Sequence, residues 1–97
     1  MEEAVSIKKL RDTARKLEPV MWVGKSGLTQ PVIEETKKQL KKRGLVKVKL
    51  LKSALETGNR KELSKELAEK TDSVLVDQVG FVAVLYKPIR NQTEAEK

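Results

Sequence analysis

Val20–Thr29, with the sequence VMWVGKSGLT, decides the fold of this 97-residue chain. A short apolar run, typical of a buried strand, passes at Gly24 into a glycine loop, and a helix is predicted to begin after Thr29. Two glycines let the backbone approach an anion closely, and a helix N-terminus directs free N–H groups at it. Lys25 and Ser26 add a positive charge and a hydroxyl donor. The stretch therefore predicts a strand, an anion-binding loop and a helix in succession.

The sequence on either side predicts a helix before this stretch and defines the one after it. Apolar residues spaced by three and four predict the first helix over residues 6–17, which Pro19 terminates. Thr29 is a suitable N-cap for the second helix. That helix should run over residues 30–43, with Gly44 at its exit.

The next two elements are a strand and a third helix. Apolar residues alternate with Lys47 and Lys49 over residues 45–51, which predicts a strand whose lysines point away from the core. Asn59 followed three residues later by Glu62 matches a capping box, and the helix that it begins should reach about residue 70.

The last two elements form a hairpin. Two apolar runs, residues 74–79 and 81–85, meet at Gly80, and their near-continuous apolarity predicts central strands. The expected fold is a single compact αβαβαββ domain of the α/β class, a four-stranded mixed sheet with three packed helices. We expect this domain to span residues 1–89, followed by a polar, flexible tail over residues 90–97.

Composition excludes several classes of protein. The chain has no Cys and no His, so disulfides, thiolate metal sites and Ser-His-Asp catalysis are ruled out. No carboxylate pair stands at a telling spacing, so we expect no catalytic residue, metal, cofactor or small-molecule substrate. No apolar run approaches the length of a membrane span, and the N-terminus lacks the apolar core of a signal peptide. The expectation is a cytoplasmic monomer without a membrane partner.

Charge points to a polyanionic partner. The net charge is +7. The segment from Lys37 to Lys52, which runs from the second helix through the second strand, carries eight basic residues and no acidic one. These residues are Lys37, Lys38, Lys41, Lys42, Arg43, Lys47, Lys49 and Lys52. The alternative is a solvated helix end in which Glu34 and Glu35 pair with nearby lysines. Because the positive charge continues through the strand without a compensating acid, nucleic-acid contact is the stronger interpretation.

Two nucleotide-binding motifs fail on spacing at the glycine loop. A Walker A loop ending at Ser26 needs a glycine where Pro19 stands, and a dinucleotide fingerprint ending at Gly27 needs one where Trp22 stands. What is left is a GxxG loop, or a plain turn that needs glycine for its backbone shape. Trp22 could stack on a base, but a lone Trp in a short apolar strand is more often core, so a buried Trp22 is the favoured prediction. Because no strand carries a pair of aromatic residues, recognition should rest on phosphate, shape and 2′-hydroxyl contacts rather than on base stacking.

Ordered motifs along most of the chain resemble the CRM domain, the YhbY-like RNA-binding family. They are the run from Leu10 to Leu17 with Pro19, the loop Val23–Thr29, the strand Leu45–Lys49, and Val79–Phe81 leading into Val84–Pro88. The resemblance covers about residues 6–89 and implies an αβαβαββ domain with a KH-like GxxG loop that binds structured RNA.

The family resemblance also implies a role. Bacterial single-domain members associate with precursors of the large ribosomal subunit, so the expected partner is structured ribosomal RNA and the expected function is non-catalytic assistance of ribosome maturation. The expected RNA-binding residues are Gly24, Lys25, Ser26, Gly27, Lys37, Lys38, Lys41, Lys42, Arg43, Lys47 and Lys49. Two alternatives remain, a small DNA-binding chromatin-type protein and a protein adaptor on the ribosome.

Overall fold

A computed structural model describes residues 6–56 and 58–88 and confirms the predicted order of elements. The elements are α1 (Ile7–Ala14), β1 (Met21–Val23), α2 (Gln30–Arg43), β2 (Leu45–Leu50), α3 (Arg60–Lys70), β3 (Val74–Val79) and β4 (Val82–Tyr86). A short 3₁₀ turn that the sequence did not predict, Lys52–Glu56, follows β2. The tail predicted over residues 90–97 lies outside the described residues. No helix in the described part of the chain is long and apolar enough to cross a membrane.

Local hydrogen bonds set where the helices begin and end. The Ser6 hydroxyl accepts from the amide of Lys9, and the Asn59 side chain accepts from the amide of Glu62 at 2.8 Å, so the predicted cap of α3 is confirmed. Gly44 ends α2 at the predicted residue with φ +81°. The first helix is shorter than predicted, because its last amides bond to carbonyls only three residues back and tighten into a turn.

The sheet is mixed, with strand order β1-β2-β4-β3. The β1–β2 pair is parallel, whereas β2–β4 and β4–β3 are antiparallel. Thus β4 is central as predicted, but the same prediction for β3 is wrong. Since β3 has β4 as its one neighbour, Val74 and Val79 are 52% and 63% exposed. An apolar run alone did not distinguish an edge strand from a central one.

The two faces of the sheet are covered differently. Helices α2 and α3 pack on one face, where Val46, Val48 and Leu50 point into the main core as predicted. Helix α1 covers part of the other face, and its Leu10 and Ala14 pack against β3 and β4. The part of this second face that lies beyond α1 is open to solvent.

Trp22 lies on this open part, so the prediction that it is buried is wrong. Its side chain is 53% exposed, whereas the neighbouring Val23 is fully buried. Two features of the tertiary structure are responsible. β1 is an edge strand, and the buried side chains of α1 pack against β3 and β4, on the other side of the sheet from β1.

Candidate nucleic-acid interface

The glycine loop is a tight turn between β1 and α2. The amide of Gly27 donates to the carbonyl of Gly24 at 2.9 Å, which closes a four-residue turn. Lys25 and Ser26 stand at its corner and are both exposed. Gly27 has φ +74°, a conformation that disfavours any side chain. The turn therefore projects one ammonium group and one hydroxyl from a defined backbone.

Several backbone donors at this turn are unpaired. Thr29 occupies the predicted N-cap position of α2, but its side chain makes no capping hydrogen bond. Within the described residues, the amides of Lys25, Ser26 and Gln30 also donate no hydrogen bond. The positive end of the α2 dipole thus meets solvent beside a lysine. These are the groups that bind an anion at a helix N-terminus.

Gly24 is not required by the packing of the fold. Its φ is not positive, and a Cβ added there would meet Leu51 Cδ1 and Ser53 Oγ at 3.9 Å, an ordinary contact distance. The turn therefore accounts for Gly27 but not for Gly24. Close approach of a ligand to the backbone is a reason for glycine that packing does not supply.

The predicted cations of α2 are all exposed. Glu34 accepts a hydrogen bond from Gln30 at 2.6 Å and Glu35 accepts one from Gln39 at 2.9 Å, so the two carboxylates bind glutamines of their own helix. The pairing with lysines that would have made this a neutral surface is not formed. Over residues 6–56 and 58–88, no ion pair involves the α2 cations, which are Lys37, Lys38, Lys41, Lys42 and Arg43.

The lysines of β2 lie on the opposite face of the sheet from α2. Lys49 is exposed, in agreement with the prediction. Lys47 also points away from the main core, as predicted, but it is half-buried, and its Nζ donates to the carbonyl of Leu17 at 3.1 Å. The segment after α1 covers this lysine. The hydrogen bond from Lys47 to Leu17 links that segment to the sheet.

The basic segment therefore does not form one continuous surface. Helix α2 has 14 residues and is about 20 Å long, and it leads away from the loop. Lys41, Lys42 and Arg43 consequently lie at the far end of α2 from Lys25. The structure places the α2 cations on one side of the sheet and Lys49 on the other.

Two further cations, Lys52 and Arg60, lie at the loop end of the sheet and were not among the predicted RNA-binding residues. Because β1 and β2 are parallel, the amide of Leu51 bonds to the carbonyl of Val23, and Lys52 follows directly. Arg60 lies 5.0 Å over the ring of Phe81, whose carbonyl accepts from Leu50 at the same end. The signal for Lys52 was the parallel pairing implied by a strand-helix-strand connection.

The described residues contain no cluster of acidic or other ligating side chains that could hold a metal ion. Their chemistry is that of an anion-binding surface, with unpaired amides at one turn, an ammonium group beside them and free cations on two faces.

Comparison with known proteins identifies relatives along most of the chain. The CRS1/YhbY (CRM) domain profile matches residues 4–87. The chain is similar to the probable RNA-binding protein MJ0652 of Methanocaldococcus jannaschii, with 47% identity over 79 residues. That match covers 81% of this chain but 58% of the relative, so the chain spans little more than half of that protein.

In two other comparisons, the match covers about nine tenths of both proteins compared. The probable RNA-binding protein YqeI of Bacillus subtilis is 32% identical over 87 residues, which is 90% of this chain and 88% of that protein. The solution structure of the hypothetical protein SAV1595 from Staphylococcus aureus superposes with a TM-score of 0.74 at 31% identity. It covers 91% of this chain and 90% of that one.

Proposed function

The chain belongs to the CRS1/YhbY (CRM) domain family, and from this premise we propose that it is a non-catalytic RNA-binding protein. The observation that carries the proposal is the turn at Gly24–Gly27, where unpaired amides lie beside the exposed Lys25 at an uncapped helix start. The names of the relatives, which describe RNA-binding proteins, support RNA as the polyanion.

In this proposal the turn binds the sugar-phosphate backbone. The amides of Lys25 and Ser26 donate to phosphate oxygens, and the Lys25 ammonium adds positive charge. Because Gly24 has no side chain, the RNA can approach the protein backbone there. Such contacts position the nucleic acid without reading its sequence. Selectivity for RNA then depends on groove shape and on the 2′-hydroxyls.

We further propose that the RNA is structured ribosomal RNA in a precursor of the large subunit, bound in the cytoplasm. The family resemblance supports this target. The free cations also lie on both faces of the sheet, which favours a folded RNA that contacts the domain at more than one place over a small anionic ligand.

The test is a pair of charge-matched variants. Replacing Lys25 and Ser26 together with Asp should weaken binding to a labelled RNA hairpin by at least tenfold, measured by fluorescence anisotropy, with little change in melting temperature. The control removes the same net charge from α3 through Lys65→Asp and Lys61→Gln. We expect it to bind nearly as tightly as the unmodified protein. Equal affinities of the two variants would refute the loop assignment.

Two competition measurements separate this function from its alternatives. A duplex DNA of the same sequence should displace the RNA hairpin poorly; efficient displacement would instead favour a DNA-binding chromatin-type protein. Association with ribosomal particles should be lost after nuclease treatment. If association survives that treatment, the protein-adaptor alternative is favoured.

A further inference from the structure

The open part of the second sheet face carries a row of side chains that the phosphate-binding turn does not use. Strand pairing places Trp22 opposite Lys49, Lys49 opposite Val82 and Val82 opposite Val79. Trp22 and Val79 are 53% and 63% exposed. A side chain as large and apolar as Trp is usually well buried, so this exposure needs a reason.

The row lies next to the turn. Trp22 precedes Gly24 by two residues, a distance of about 7 Å along a strand. A strand of RNA whose phosphate sits at the turn therefore has its neighbouring nucleotide within reach of the indole ring. This adjacency connects the aromatic side chain to the anion site.

The charges of the row are complementary to a nucleic acid. Lys49 is exposed and forms no ion pair with any residue in the described ranges, and the row contains no carboxylate. Asp77 lies one register step from Val79 on this face, and Arg11 already lies 3.6 Å from it. A second copy of this chain across a twofold axis would bring Lys49 towards another Lys49. A nucleotide instead supplies both a flat ring and a phosphate.

A cleft continues the row beneath α1. It has a volume of about 370 Å³ and is lined by Arg11, Arg15, Lys47 and Asp77 together with the valines of β3 and β4. Three cations and one carboxylate line it: Arg11 lies 3.6 Å from Asp77, Arg15 is 3.0 Å from Asp12, and Lys47 donates to the carbonyl of Leu17, so all three already have partners within the protein. The cleft offers a path for the backbone of a strand that leaves Trp22.

We propose that Trp22 stacks on an unpaired base of the RNA held at the Gly24–Gly27 turn, with Lys49 on the adjoining phosphate. The inference rests on the proposed function and narrows it, because it requires a single-stranded segment beside the gripped backbone. It revises the expectation of recognition without base stacking, which was drawn from the lack of an aromatic pair on any strand, because a single exposed Trp22 can stack on one base. Stacking of bases on exposed aromatic side chains is a general device of single-strand binding.

The chain contains a single Trp, so its intrinsic fluorescence reports on this site directly. Two labelled probes separate base from phosphate: a ten-nucleotide oligouridine, and the same ten-mer with every base removed to leave ribose and phosphate. Oligouridine should quench Trp22 fluorescence and bind more tightly, whereas the abasic strand should bind through the turn without quenching.

Variants complete the test, with affinities measured by anisotropy. Trp22→Ala should lower the affinity for oligouridine about tenfold and leave the abasic strand unaffected. Trp22→Phe should retain most of the affinity. The control is Val74→Ala, which shortens a side chain of similar exposure on the same sheet face, 52%, and should change neither affinity.

The outcomes distinguish this inference from the function on which it rests. Equal binding of both strands without quenching, together with weaker binding of both by the Lys25 and Ser26 variant, would overturn the stacking and leave the loop function standing. It would also favour a protein contact at the row. Failure of the unmodified protein to bind either strand or the hairpin would overturn both proposals.

Discussion

At the scale of the residue, Gly24 and Gly27 bound the same turn but have different physical roles. Gly27 has φ +74°, so its lack of a side chain serves the fold. Gly24 has no positive φ and has room for a Cβ at 3.9 Å from its neighbours. The GxxG pattern therefore combines one structural glycine with one whose use we assign to the ligand.

This difference predicts opposite effects of two alanine substitutions. Gly27→Ala should destabilise the protein by about 1–2 kcal/mol, because an L-residue is strained in the left-handed region. For a domain of this size that corresponds to a fall in melting temperature of about 4–8 °C per kcal/mol. Gly24→Ala should change stability by less than about 0.5 kcal/mol, as is usual away from strained or buried sites.

Gly24→Ala should affect RNA binding even though it leaves the stability of the protein nearly unchanged. The added methyl group would keep an RNA phosphate from the backbone, so Gly24→Ala should weaken binding to the hairpin several-fold at unchanged melting temperature. Calorimetry and anisotropy on the same samples measure both quantities. A stable Gly24→Ala variant with unaltered affinity would show that the backbone at this position does not contact RNA.

At the scale of the element, helices α2 and α3 differ in the charge of their surfaces. The exposed charges of α2 are mostly basic, whereas α3 carries acidic and basic side chains together. The carboxylates of α2 are bound by glutamines, whereas on α3 Lys70 lies 3.8 Å from Glu66 on a face that also carries Glu62 and Glu69. The lysines of α2 are therefore free for an external anion. Those of α3 share their surface with acids.

This contrast predicts that equal losses of charge have unequal effects. Replacing Lys41 and Lys42 with Gln should lower RNA affinity and reduce the slope of log K against log salt by about 1.4 to 1.8, the contribution of two phosphate contacts. The matched replacement of Lys65 and Lys70 with Gln should alter the slope little. Titrations between 50 and 200 mM NaCl measure it. Indistinguishable slopes for the two variants would remove α2 from the interface.

At the scale of the whole molecule, the cations form groups at separate places rather than one track. Lys25, Lys49, Lys52 and Arg60 belong to the end of the sheet that carries the turn, whereas Lys41, Lys42 and Arg43 lie about 20 Å away along α2. The domain itself measures 41 × 30 × 19 Å. An RNA that contacts both groups must therefore span about 20 Å of its surface.

The arrangement predicts that salt dependence increases with the length of the RNA. A folded RNA contacting about six phosphates should give a slope near −4 to −5, at about 0.7 to 0.9 for each contact. A duplex of about four base pairs is at most about 14 Å long, even at the 3.4 Å per step of a DNA strand, so it is too short to reach from the turn to the end of α2 and should give a shallower slope. Equal slopes for the long and short RNA would mean that one group of cations makes all the contacts.

Local signals in the sequence determined the helices, the strands and the turn. Asn59 caps α3 by accepting from the amide of Glu62, and Gly44 ends α2. The alternation in β2 directs its apolar side chains into the core. Each of these effects acts within a few residues, so the sequence alone contains it. The turn residues were also predictable, since a GxxG loop before a helix depends only on its own backbone.

Only the tertiary structure decided how these elements expose their side chains. Trp22 is exposed because β1 is an edge strand and α1 packs against β3 and β4, and Lys47 forms a hydrogen bond because it meets Leu17, 30 positions away. A run of positive charge in the sequence became two groups because β2 turns its lysines to the face opposite α2. Burial and charge placement depend on which distant segments pack together, and the pattern of a single segment does not contain that information.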